Sequence, residues 1–255
     1  QEMLYHIVIP ARMASQRLPG KPLLEIAGRS LLEHVFLRAR AAGAESVVIA
    51  TDTQAIADAA EAFGAPAVMT SANHSSGSDR IAECADVMGW DDATLIVNLQ
   101  GDEPLMPPSC LDQVASLIES DRDASVASLY WPIRSMDELK DPNAVKVVTG
   151  QQGQALYFSR SVIPHPRGVT ELAGQVGDRA VWKRHIGLYA YRAGALREFS
   201  SMAPAPLESV EKLEQLRFLE AGRRIVMARA CEYIPAGVDT PEDLDRVRRQ
   251  LEGMA

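Results

Sequence analysis

Three cations and two carboxylates carry most of the chemistry this chain could do. Arg12, Arg17 and Lys21 lie close together in a stretch broken by Pro19, Gly20 and Pro22. Cations on a turn-rich loop suit a cluster of anionic oxygens, such as a run of phosphates. The loop is not a Walker A motif, because Ser15 stands where its first glycine belongs and Pro22 where its magnesium-binding hydroxyl belongs. The first carboxylate, Asp102, ends an apolar run in Gln100-Gly101-Asp102-Glu103-Pro104. A carboxylate at a strand end can hold a magnesium ion that also grips phosphate oxygens. Gly-Asp and Glu-Pro also make ordinary turns, so the motif alone leaves that reading open. The second carboxylate, Asp239, precedes Thr240-Pro241-Glu242-Asp243. Thr240 as N-cap, Pro241 as first helical residue and Asp243 as capping-box acid complete a helix start. Asp239 is then spare, either as a second metal ligand or as an alternative cap.

The elements that must position these residues alternate. Residues 5–9, 47–51, 67–69 and 95–99 read as strands. Helices are expected at 31–42, 55–63 and 108–119, and a small-residue loop at 74–80 leads into another helix through residue 88. Ser30 and Glu33 form a capping box for the first helix. Strands and helices in this order give an α/β fold with a parallel sheet, and ligands bind beyond the carboxyl ends of such strands. From about residue 130 the pattern changes. A strand at 127–130, a hairpin at 144–149 and 155–159, and a strand at 185–192 make residues 130–192 an expected antiparallel lobe, suited to substrate contacts or a dimer surface. A helix is expected over 206–221, with Val210 and Leu213 on its buried stripe and Glu211, Glu214 and Gln215 sharing one face.

At 255 residues, 47% hydrophobic and 24% charged, the chain reads as an ordinary globular protein, long enough for two small domains or for one large domain, 3–255, which is the expectation here. A net charge of −8 argues against nucleic acid or an anionic membrane as a partner. Cys84, Cys110 and Cys231 lack CxxC spacing, which argues against a disulfide framework or zinc site and fits a reducing compartment. Neither a signal peptide nor an apolar run of the ~18 residues needed for a membrane span is expected.

The stretches 9–12 with 17–23, 97–104 and 237–244 together resemble 3-deoxy-manno-octulosonate cytidylyltransferases. Asn143–Val148, Tyr157–Arg160, Arg184–Gly187 and Leu213–Arg217 extend the likeness to the whole chain. The resemblance implies a Rossmann-like nucleotidyltransferase core with a smaller antiparallel lobe, usually as a cytoplasmic homodimer. It implies transfer of CMP from CTP to the acid sugar KDO, giving CMP-KDO and pyrophosphate for lipopolysaccharide synthesis. Carried over by position, Arg12, Arg17 and Lys21 hold the triphosphate; Arg80, Gln100, Pro10 and Ala11 frame the cytidine; Asp102 and Asp239 bind Mg2+. Arg12, Lys21, Asp102 and Asp239 form the implied catalytic set. Arg160, His185, Glu214 and Gln215 contact the sugar acid. Met13 and Gln16 stand where the family often has an aromatic residue and Thr. The competing expectations are a sialic acid or 8-amino-KDO as acceptor, a hexose-1-phosphate nucleotidyltransferase, or a nucleotide-binding regulator without turnover.

Overall fold

The computed structural model of the chain describes residues 3–168, 176–177 and 181–253. Its first half follows the expected alternation. Strand β1 (Tyr5–Ala11) runs into the cationic loop, which ends in a 3-10 turn at Lys21–Leu23. A two-strand hairpin, β2 (Glu25–Ile26) and β3 (Arg29–Ser30), leads into helix α1 (Leu31–Arg40). Ala27 and Gly28 turn this hairpin, both with positive φ, as its two-residue turn requires. Next come β4 (Ser46–Thr51), α2 (Gln54–Ala62), β5 (Ala67–Met69), α3 (Gly77–Met88), β6 (Leu95–Asn98) and α4 (Pro108–Ser120). The second half holds β7 (Ala124–Pro132), α5 (Met136–Lys140), β8 (Lys146–Thr149), β9 (Ala155–Ser159), β10 (Lys183–Arg192), α6 (Ala193–Ser201), α7 (Pro206–Glu211), α8 (Leu216–Glu220), β11 (Arg224–Arg229) and α9 (Pro241–Gly253).

One sheet carries the fold, in the order β11-β7-β10-β6-β1-β4-β5. Strand β1 pairs parallel with both β4 and β6, and β4 with β5. The chain winds away from β1 on one side through β4 and β5, then returns to its other side with β6. The carboxyl ends of β1 and β6 therefore flank a switch point, where a crevice forms. The antiparallel strands expected over 130–192 extend this same sheet. Strand β10 pairs antiparallel with β6 and β7, and the β8–β9 hairpin hangs on β10.

Both faces of the sheet are covered, which is why its strands are continuously apolar. Along β1, Tyr5, Ile7, Ile9 and Ala11 join a core that includes α1 and α4, while Val8 joins the opposite core with α3, α6 and α8. Each fully buried side chain of this size contributes about 1.5–3 kcal/mol. A smaller cluster bears directly on the site. Leu18 of the cationic loop, Leu105 after Asp102, Val238 before Asp239 and Val247 of α9 pack together with Ile26 and Leu31. Three segments far apart in sequence are thus bound into one unit.

The helix expected over 206–221 is broken. Lys212 adopts a left-handed φ of 55° and ends α7, and a new helix starts at Leu216. The break turns Leu213 into the core but leaves Val210 81% exposed, so the two do not form one buried stripe. It also separates Glu211 from Glu214.

Candidate functional site

The cationic loop, the start of α3, the end of β6 and the Asp239 segment enclose a cavity of about 920 Å³. Pro10, Ala11, Arg12, Arg17, Lys21, Arg80, Gln100, Asp102, Glu214 and Asp239 all line it. The two carboxylates meet there through the cations. Lys21 Nζ lies 3.3 Å from Asp102 Oδ2 and 3.6 Å from Asp239 Oδ1, and donates to the Val238 carbonyl at 3.1 Å. Arg17 reaches Asp239 Oδ2 at 2.6 Å, with 66% of its side chain exposed. Burial raises the Asp102 pKa, Lys21 opposes that shift, and the charge of Asp239 adds to it. Neighbouring Glu103 is pushed to about 8, first by burial and then by the Asp102 charge.

Backbone contacts fix this geometry. The Val238 N–H donates to the Asp102 carbonyl at 2.8 Å. Gly237 permits the approach, since a Cβ there would lie 2.7 Å from the same carbonyl oxygen. A Cβ on Gly101 would likewise come within 3.1 Å of the Pro10 carbonyl. The expected cap of α9 is present: Thr240 Oγ1 accepts from the Asp243 N–H, and Asp243 Oδ2 accepts from the Thr240 and Asp239 N–H groups. Asp239 is left facing the cations.

Two hard carboxylates converging on one cation fit magnesium, which binds through one or two carboxylates plus substrate phosphates. Among the described residues, no group of three or more His, Cys, Asp or Glu side chains is placed to hold a metal.

At the start of α3, the Ser76 hydroxyl caps the helix by accepting from the Asp79 N–H at 3.1 Å. His74, Ser75, Ser76 and Gly77 line the cavity beside this terminus. The sequence offered only a small-residue loop as their signal. Arg80 is buried and held by Thr70 Oγ1 at 2.5 Å and by Asp52 at 3.6 Å.

The residues expected to meet the sugar acid are placed differently. Glu214 lines the cavity and accepts from the Ser78 hydroxyl. Burial raises its pKa against that hydrogen bond. His185 is not among the lining residues. It packs edge-on against Phe158 at 5.0 Å and its Nε2 lies 3.0 Å from Ser128 Oγ. Burial, then the charge of Arg184, lowers its pKa to about 3, so the ring is neutral. Gln215 is buried. The Arg160 guanidinium does not face the cavity with a free fork. It donates to the carbonyls of Glu211 at 2.7 Å, Pro142 at 3.0 Å and Lys212 at 3.3 Å. The Arg160 N–H and Ser159 hydroxyl donate to the Glu211 carboxylate at 3.0 and 2.6 Å, tying β9 to the broken helix. Within the loop at 164–177, residues 169–175 lie outside the described residues.

Comparison with known proteins finds relatives along nearly the whole chain. The family model described as cytidylyltransferase matches residues 6–225. A "3-deoxy-manno-octulosonate cytidylyltransferase" of Thioalkalivibrio sulfidiphilus is 51% identical, covering 98% of this chain and 99% of its own. One from Pseudomonas fluorescens is 49% identical, covering 97% and 98%. A solved CMP:2-keto-3-deoxy-manno-octonic acid synthetase complexed with CTP superposes with a TM-score of 0.89 at 38% identity over the whole of both chains. A 4-diphosphocytidyl-2C-methyl-D-erythritol synthase shares the fold at 14% identity, with a TM-score of 0.65. With this cavity at the switch point of its sheet, the chain is an enzyme and belongs to the 3-deoxy-manno-octulosonate cytidylyltransferase family.

Proposed function

We propose that this enzyme transfers the cytidylyl group of CTP to KDO, giving CMP-KDO and pyrophosphate, with Mg2+ as cofactor. One observation carries the reading: in a single cavity, Arg17 and Lys21 face Asp102 and Asp239 at ion-pair distance. The names of its relatives point to the same substrates. The reading includes a cytoplasmic homodimer whose product is used in lipopolysaccharide synthesis, as family membership implies.

The first obstacle is repulsion between a sugar acid and a triphosphate, so cations must dominate where the two meet. Without nucleotide, Arg17 and Lys21 are neutralised by the carboxylates. When CTP enters, these cations turn to its phosphates, joined by Arg12, and the carboxylates are released. Asp102 and Asp239 would then hold magnesium, which when bound supplies positive charge to the phosphates and lowers the pKa of a ligated hydroxyl. The 2-hydroxyl oxygen of the sugar bonds to the α-phosphorus, its proton departs to solvent, and the bond to pyrophosphate breaks. Arg17 and Lys21 stabilise the charge on the leaving pyrophosphate. Glu214 receives sugar hydroxyls, while neutral His185 holds its wall in shape and transfers no proton.

The test is pyrophosphate release from CTP with KDO, 8-amino-KDO, a sialic acid or a hexose-1-phosphate in parallel. Fastest release with KDO is expected. Preference for another acceptor would reassign the substrate, and CTP binding without release would make the chain a regulator.

A further inference from the structure

Cys110 and Cys231 are 121 residues apart in sequence, yet their sulfurs lie 3.8 Å from each other. Cys110 is buried in the first turn of α4, and Cys231, just past β11, is exposed. Their surroundings hold this register. The Gln113 side chain accepts from the Cys231 N–H at 2.8 Å and donates to the Arg229 carbonyl at 2.7 Å, and the Ser109 hydroxyl donates to the Glu232 carboxylate. Cys84 is buried in the core on the opposite face of the sheet. The fold thus converts three scattered cysteines into one pair and one solitary thiol.

We propose that Cys110 and Cys231 are a modification site, closing to a reversible disulfide when the protein meets a peroxide. The Cys231 thiol gives up its proton and the thiolate attacks one peroxide oxygen; an S–O bond forms, the O–O bond breaks, and the departing hydroxide takes up that proton, leaving a sulfenic acid and one water. The Cys110 sulfur then attacks the Cys231 sulfur; an S–S bond forms, the S–O bond breaks, and the leaving hydroxide takes the thiol proton as a second water. In sum, two thiols and one hydrogen peroxide give one disulfide and two waters. A dithiol reverses the step through the exposed Cys231 sulfur.

The division of labour follows from accessibility. Burial raises the Cys110 thiol to about 11 and the Cys84 thiol to about 12, so neither is the first to react. The sulfurs must approach to about 2.05 Å, a contraction that the exposed run Cys231–Tyr233 can accommodate. The location gives the bond a consequence. Helix α4 follows Asp102 by a short turn, and Cys231 lies on the segment leading to Asp239. Oxidation therefore staples together the two segments that carry the site's carboxylates. This inference stands whichever substrate the enzyme takes.

The test treats the whole protein with hydrogen peroxide, then measures intact mass, free thiols under denaturation and cross-linked peptides. Mass is expected to fall by about 2 Da, free thiols to drop from three to one, and one peptide pair to join positions 110 and 231. The thermal midpoint is expected to rise by about 5 °C, and dithiothreitol should restore the starting state. Cys84→Ala should behave as wild type, whereas Cys110→Ala and Cys231→Ala should not cross-link. If either fails to fold, peptide mapping of the wild type decides. A gain of about 16 or 32 Da at Cys231 with Cys110 still free, or a disulfide between two copies, would overturn the proposal.

Discussion

On the β1 side of the cavity, Arg17 and Lys21 lie against Asp239 and Asp102, partly open to solvent. Behind the cavity, and not among its lining residues, β10 carries half-buried His185 and Tyr189 and buried Tyr191, with a neutral imidazole and phenols whose pKa values burial raises. The first region is full of charge that cancels internally; the second is polar but nearly uncharged. The difference separates two tasks. A polyanion is gripped by charges that can exchange partners, so they must be reachable and already balanced. Buried polar side chains with fixed hydrogen bonds instead hold a shape.

Four experiments sharpen or break this contrast. The largest effect is expected from Asp102→Asn, which should lower kcat by at least about 1,000-fold in a pyrophosphate-release assay, with its thermal midpoint within a few degrees of wild type. Near-normal turnover would remove Asp102 from the metal. Lys21→Met should weaken CTP binding by about 10- to 100-fold, the loss of one charge-assisted contact, while the KM for the sugar changes little. Equal losses for both substrates would erase the distinction between the regions. Gly237→Ala pushes a Cβ toward the Asp102 carbonyl at 2.7 Å. Overpacking of this kind costs about 1–3 kcal/mol, so a thermal midpoint lowered by several degrees is expected. The smallest effect concerns His185. Its folded pKa of about 3 lies below the ordinary 6.5. It therefore contributes stability that is fully present above pH 6.5 and lost as pH falls toward 3. The wild-type midpoint should fall more steeply from pH 6.5 to 4 than that of His185→Gln. Parallel profiles would show a ring whose pKa folding leaves unchanged.

The charged region was the legible one. A cationic loop after β1, a carboxylate after β6 and a spare carboxylate before α9 sit at strand and helix ends, where capping and turn rules show which residues have no local duty. Asp239 is the clearest case: Thr240 and Asp243 satisfy the helix start, so Asp239 needed another role. The buried region was less legible because its geometry depends on local backbone departures. The left-handed Lys212 breaks a run of good helix formers and aims Glu211 at Arg160 and Glu214 at Ser78. Continuous helical spacing hides that. The assignment of β10 to the central sheet rather than to a side lobe also depended on long-range pairing, which no local pattern encodes. His74 to Gly77 went unassigned because a helix start needs only caps.

The exchange of partners in the charged region can be tested through Asp239, which holds both Arg17 and Lys21. CTP binding to wild type and Asp239→Asn should be measured by calorimetry, once in EDTA and once in excess Mg2+. Asp239→Asn should bind CTP more tightly than wild type in EDTA, because its cations are released and a repelling charge is gone. In Mg2+ the order should reverse, because a metal ligand has been lost. A change of the same sign under both conditions would contradict the account.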